Sequence, residues 1–187
     1  MEPLDKRTLG EIADELDSQD IPPWEVLPDL ELYMDQVITL FGQRFEPLAV
    51  GNDRPLTSSM INNYVKDEVM PRPLKKKYTR EHLTALSVIC MLKAEFSLPE
   101  IRALLNALGE RYSTEELYTA FQAAQTAALH NAADELRHAD TIDSAARLEL
   151  AMSLALEANA KRVAASKLLA TALPMEEDSK KKKKKDE

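Results

Sequence analysis

Between residues 57 and 82 the chain places two kinds of side chain that together suit a polyanion. Ser58, Ser59, Asn62 and Asn63 are short and polar and fall within one helical run. Base edges in the major groove of duplex DNA offer donors and acceptors in a fixed pattern, and asparagine pairs bidentately with adenine. Lys66, Arg72, Lys75, Lys76, Lys77 and Arg80 stand in the same stretch, six bases against Asp67, Glu68 and Glu81 over residues 55–82, a local charge of +3. Such cations neutralise phosphates and fix register without reading sequence. The whole chain carries a net charge of −8, but residues 1–35 alone hold eleven acids against Lys6 and Arg7. The acidity is therefore concentrated away from the basic stretch, which keeps the electrostatic footprint that nucleic-acid binding requires. Three consecutive lysines also suit a plain solvated loop; their position just after a polar helix face favours phosphate contact.

Other chemistry is weaker. His130, Asp134 and His138 share a helical face, but the two histidines are separated by about 12 Å along the axis, whereas zinc takes ligands at about 2.0 to 2.2 Å. Cys90 lies in an apolar helix and reads as an inert core thiol. With no glycine-rich phosphate loop and no nucleophile motif, no catalytic residue, metal site or cofactor is expected, and the protein is not expected to be an enzyme. One cysteine makes no internal disulfide, and the first twenty residues are acidic where a secretory signal starts basic. No run approaches the roughly 18 apolar residues of a membrane span, so a cytoplasmic location is expected.

Only 4 glycines, 5% aromatic content and many Ala, Leu and Glu residues predict an all-α protein with at most a minimal β wing. Leu9, Ile12, Ala13 and Leu16 outline a short helix, marginal in isolation, stopped by Ile21-Pro22-Pro23-Trp24, whose indole should plug the following domain. From Asp29 to Phe45, apolar residues at offsets of three and four predict the first core helix, followed by a turn at Gly51, Asn52, Asp53 and Pro55. Thr57 or Ser58 caps a short helix with Met60, Ile61, Tyr64 and Val65 on one face. Residues 71–78 are too proline-broken for helix, and Thr79 caps the next helix, with Leu83, Leu86, Ile89, Leu92 and Phe96 inward. Capping boxes at Ser97/Glu100 and Ser113/Glu116 open two more, the first reaching about 108 with Gly109 as a left-handed stop, the second about 138. A last helix runs to about 172 and spans roughly 45 Å.

The last two helices are rich in alanine, and an 80-residue head cannot cover both apolar faces alone; a second copy of the chain is the expected cover, with a helical hairpin folded back on the head as the alternative. A heptad-like register, Leu148, Met152, Ala155, Asn159, Arg162, Ser166 and Leu169, has a polar middle that argues against a long uniform coiled coil. Ser179 to Glu187, with lysine at 180–185, reads as a disordered tail.

Three stretches recur in a known order: Leu56 to Pro71 with Ile61-x-x-Tyr64, then Lys77-Tyr78-Thr79, then Ser97-Leu98-Pro99-Glu100-Ile101. This arrangement resembles the MerR-type regulators, in which a recognition helix leads to a hydrophobic residue and proline, then a wing, a Tyr-Thr cap and a Ser-x-x-Glu-Ile helix. The resemblance implies a winged helix-turn-helix head and places Tyr64 near the DNA backbone. The family's arginine ahead of the tyrosine pair is replaced by the Asn62 and Asn63 neighbourhood, and the four residues between Pro73 and Tyr78 are fewer than its wing hairpin uses. More narrowly, Trp24-Glu25 with Leu27 to Val37 is similar to a small family of bacterial proteins described as a domain of unknown function.

The chain thus divides into an acidic extension (1–23), a MerR-like head (24–109), a helical dimerisation region (110–173) and a lysine-rich tail (174–187). The expected function is sequence-specific binding of double-stranded DNA by a homodimeric transcriptional regulator, with helix 57–67 in the major groove and segment 72–80 on phosphates. The alternative is an interaction adaptor that keeps the helix-turn-helix fold without significant DNA affinity. A small-molecule effector is left open.

Overall fold

The computed structural model describes residues 7–19, 21–45 and 56–172. Within them run seven α-helices: α1 (Leu9–Ser18), α2 (Met34–Phe45), α3 (Ser58–Lys66), α4 (Arg80–Leu92), α5 (Leu98–Gly109), α6 (Thr114–Asp140) and α7 (Ser144–Ala172), with a 3₁₀ turn at Trp24–Val26. Among the described residues the only β pairing is two isolated antiparallel bridges, Leu32 with Tyr78 and Leu74 with Lys77. No helix among them is long and apolar enough to cross a membrane. The expected turn at 51–55 and the lysine tail lie outside the described residues.

α4 is the hub of the head. Every residue from His82 to Cys90 is buried, so the helix is covered on all sides rather than on one stripe. Around it gather Val37 and Phe41 of α2, Ile61 and Tyr64 of α3, Ile101 of α5 and Tyr118 of α6. Local chemistry sets the starts: the Thr57 hydroxyl accepts from the Met60 N–H (3.2 Å), and Ser97/Glu100 and Ser113/Glu116 form capping boxes. Asp143 caps α7 by accepting from the Ala145 and Ala146 N–H groups at 2.9 and 3.0 Å.

Several elements differ from the sequence reading. The first core helix begins at Met34 rather than Asp29, because Leu32 exchanges two backbone hydrogen bonds with Tyr78 (2.9 and 2.8 Å) and Gln36 caps at the Tyr33 N–H (2.8 Å). Leu30 and Tyr33 consequently lie exposed, off the apolar stripe. Gly109 is the last residue of α5 without a left-handed conformation; Glu110 caps the helix in the right-handed region (φ −72°, ψ −18°). α1 is not isolated but packs along α6, with Ala13 and Ala133 fully buried at the contact, and the Arg137 guanidinium donates to Asp14 (2.9 Å) and to Asp17. The N-terminal helix thus supplies part of the cover the long helices need.

Among the described residues α7 has no equivalent cover. Residues 151–164 are all exposed, and Leu148, Met152, Leu156 and Val163 form an outward stripe, whereas Leu169 is buried. The heptad-like register therefore does not share one environment.

Candidate nucleic-acid interface

α3 separates its residues cleanly. At 100° per residue, Ser58, Asn62, Lys66, Ser59 and Asn63 occupy an arc of about 140°, and all five are exposed. Ile61 and Tyr64 on the opposite side are buried, with Met60 and Val65 packed against the core. The short polar side chains are thus held outward by a two-residue anchor. Tyr64, expected near a DNA backbone, is instead 4% exposed and belongs to the core.

Tyr64 also explains how the helix stops. The Val69 N–H donates to the Tyr64 carbonyl (2.9 Å) and the Glu68 N–H to the Val65 carbonyl (3.3 Å), the paired bonds of a Schellman motif. Glu68 takes the left-handed position that motif requires (φ 57°), although glycine would do so at less cost. From α5, the Arg102 guanidinium donates to the Asp67 carbonyl (3.4 Å) and lies 3.9 Å from Glu68, placing a positive charge where the helix dipole is negative.

The basic stretch divides in two. Lys75 and Lys76 sit at the tip of a two-residue turn closed by the Lys77 N–H donating to the Leu74 carbonyl (2.9 Å). Both are left-handed, φ 49° and 63°, which is the conformation of a hairpin turn that favours Asn-Gly. Neither pairs with a carboxylate among the described residues, and both are exposed, as is Arg72. The segment too proline-broken for helix is therefore a minimal hairpin.

Lys77 and Arg80 are committed elsewhere. Lys77 Nζ lies 2.9 Å from Glu31, and that carboxylate, as hydrogen-bond acceptor and as charge, raises the ammonium pKa. Arg80 donates twice to the Leu27 carbonyl, from Nε at 3.1 Å and from Nη2 at 2.9 Å. Its guanidinium stacks 5.2 Å from the Trp24 ring, which in turn meets Tyr118 at 5.8 Å. Arg80 thus ties Leu27 and Trp24 to α4 and leaves the set of uncommitted cations, which keeps Lys66, Arg72, Lys75 and Lys76.

The model of one protein family, described as a domain of unknown function (DUF1836), matches residues 22–122. The chain belongs to this family. No curated protein and no solved structure matches it.

The DUF1836 region contains every candidate interface residue and runs past 109 into α6, where Tyr118 donates to the Pro22 carbonyl (2.8 Å) and Gln122 to the Ile21 carbonyl (3.0 Å). The first turns of α6 are thus fastened to the head. Two DUF1836 residues with no role in the sequence reading matter here. Arg102 carries no local signal. His82 stands three residues after Thr79, at capping-box spacing: its Nδ1 accepts from the Thr79 N–H (3.1 Å), so the ring proton is on Nε2, which is buried without a hydrogen-bond partner among the described residues. Burial pushes the imidazole pKa down, opposed by Glu81 and the Arg72 backbone. His82 therefore serves as the cap of α4.

Proposed function

We propose that this chain is a DNA-binding regulator in which a MerR-like winged helix-turn-helix head reads duplex DNA sequence-specifically with α3. The observation that carries the reading is the division of α3 into an anchored apolar side and an outward arc of Ser58, Ser59, Asn62, Asn63 and Lys66. Polar side chains of this length suit base-edge contacts in a major groove. The 74–77 turn serves as a minimal wing, and Lys75 and Lys76, with Lys66 and Arg72, contact phosphates. Two lysines kept left-handed at a tip where glycine is cheaper support a role outside the fold.

The exposed stripe of Leu148, Met152, Leu156 and Val163 supports a homodimer joined through the C-terminal helices. Two heads related by a two-fold axis would read a near-palindromic operator, and the regulator would act on transcription by direct binding in the cytoplasm.

Fluorescence anisotropy with duplex DNA across a salt series tests this. Replacing Lys75 and Lys76 by alanine should weaken binding to all sequences alike and, with two lysines lost from each head of the dimer, lower the slope of log K against log salt by about four. Replacing Asn62 and Asn63 by alanine should relax sequence preference while leaving the slope unchanged. Absence of DNA affinity at physiological salt, with the stripe still driving association to other proteins, would favour an adaptor.

A further inference from the structure

α4, α5 and the start of α6 frame two adjoining clefts of about 510 and 540 Å³ that share Leu105, Tyr112 and Leu117. The second is walled by Leu92, Leu104, Leu108 and Phe121 and is almost wholly apolar. The first reaches Val69 and Pro71, in the loop from α3 to the lysine turn, and is lined also by Thr84. Thr84 is only 3% exposed, and its hydroxyl oxygen finds no hydrogen-bond partner among the described residues. An unsatisfied buried hydroxyl costs roughly 1–3 kcal/mol, which a ligand group that bonds to it would recover.

The charged side chains that line the clefts have one sign. Among the described residues, the charged side chains lining them are Glu81, Glu110 and Glu116. Glu116 is held in its capping box with Ser113, whereas Glu81 and Glu110 stand exposed beside the Thr84 cleft. Tyr112, 51% exposed, adds an aromatic face of the kind that attracts cations.

We propose that this double cleft binds a small organic cation, its apolar body against Leu92, Leu104 and Leu108, a hydrogen-bonding group at Thr84 and its charge beside Glu81 and Glu110. A carboxylate ligand of the same shape would be repelled by Glu81 and Glu110. Because the loop carrying Val69 and Pro71 leads directly to the lysine turn, and Glu81 lies in the first turn of α4, occupancy shifts the elements that face DNA. This coupling rests on the DNA-binding reading; ligand binding itself does not.

The test is calorimetric titration of the full chain with 2-naphthylmethylamine, 2-naphthylmethanol and 2-naphthoate, which share a ring system and differ in charge. The amine should bind about fivefold more tightly than the alcohol, the scale of one exposed ion pair, with naphthoate weakest. Glu81→Gln with Glu110→Gln should erase the difference between amine and alcohol while the alcohol still binds, and Thr84→Val should weaken both. No binding of any probe, naphthoate binding as well as the amine, or probe binding that disappears as the chain self-associates and a second copy fills the cleft would each overturn the proposal. In a second titration, the amine should change the affinity for duplex DNA several-fold in the parent chain and leave it unchanged in the double Gln variant. An unchanged DNA affinity with the amine bound overturns the coupling alone, and a chain that binds the amine but no DNA sinks the DNA-binding reading and leaves the ligand site standing.

Discussion

Lys75 and Lys76 differ from Lys77 and Arg80 in almost every respect except charge. The first pair projects from a left-handed turn and meets no carboxylate among the described residues. Of the second, Lys77 lies against Glu31 and Arg80 is hydrogen-bonded to the Leu27 carbonyl beneath Trp24. Four cations within six residues thus serve two purposes: one pair is held out at some cost to the backbone, and the other fastens residues 27–31 to the head. A cluster of like charges in a sequence says that a patch is available, and only the partners of each charge say how much of it is left for a ligand.

The largest test of that contrast is Arg80→Ala. Losing two charge-assisted hydrogen bonds and the stacking on Trp24 should destabilise the protein by about 3 kcal/mol, read as a lower urea midpoint with a similar slope. A destabilisation below about 0.5 kcal/mol would return Arg80 to the surface set. The opposite sign is expected at the tip. Lys75→Gly with Lys76→Gly relieves two left-handed side chains and should stabilise the fold by about 1 kcal/mol while weakening DNA binding; a variant that gains stability and keeps full affinity would remove these lysines from the interface.

The smallest effect is a pH dependence between the two pairs, at His82. Its pKa is lowered by burial, so the neutral ring is the one the fold holds. The stability it contributes is complete above about pH 6.5, the unperturbed value, and is lost as pH falls through the depressed pKa. His82→Gln, which preserves capping-box chemistry, should flatten the slope of unfolding free energy between neutral pH and pH 5, and an unchanged slope would place the titrating group elsewhere.

Local signals in the sequence were reliable where the deciding contacts are local. The Ser97/Glu100 and Ser113/Glu116 boxes and the Thr57 cap depend on residues three apart, and each helix starts where its cap predicts. Asp29 to Tyr33 misled because their helical periodicity is overridden by backbone pairing with Tyr78, more than forty residues away. Gly109 misled because the expected left-handed stop is not used there, whereas one after α3 falls on Glu68, a residue whose type gives no hint of it. At the candidate interface, the outward arc of α3 was legible from spacing. So was the apolar face that carries Tyr64, which only the family resemblance had put near DNA; the commitment of Lys77 and Arg80 was not, since it depends on Glu31, Leu27 and Trp24 returning to the head through tertiary packing. The same is true of α1, whose cover is α6 at the far end of the chain.

The central claim, that α3 reads DNA within a dimer, is met most directly by titrating the protein against mixed genomic fragments at low and physiological salt, with and without residues 179–187, and sequencing what stays bound. Enrichment of one near-palindromic site that persists without the lysine tail is the predicted result. Binding that vanishes with the tail, or that selects no sequence, would contradict the account.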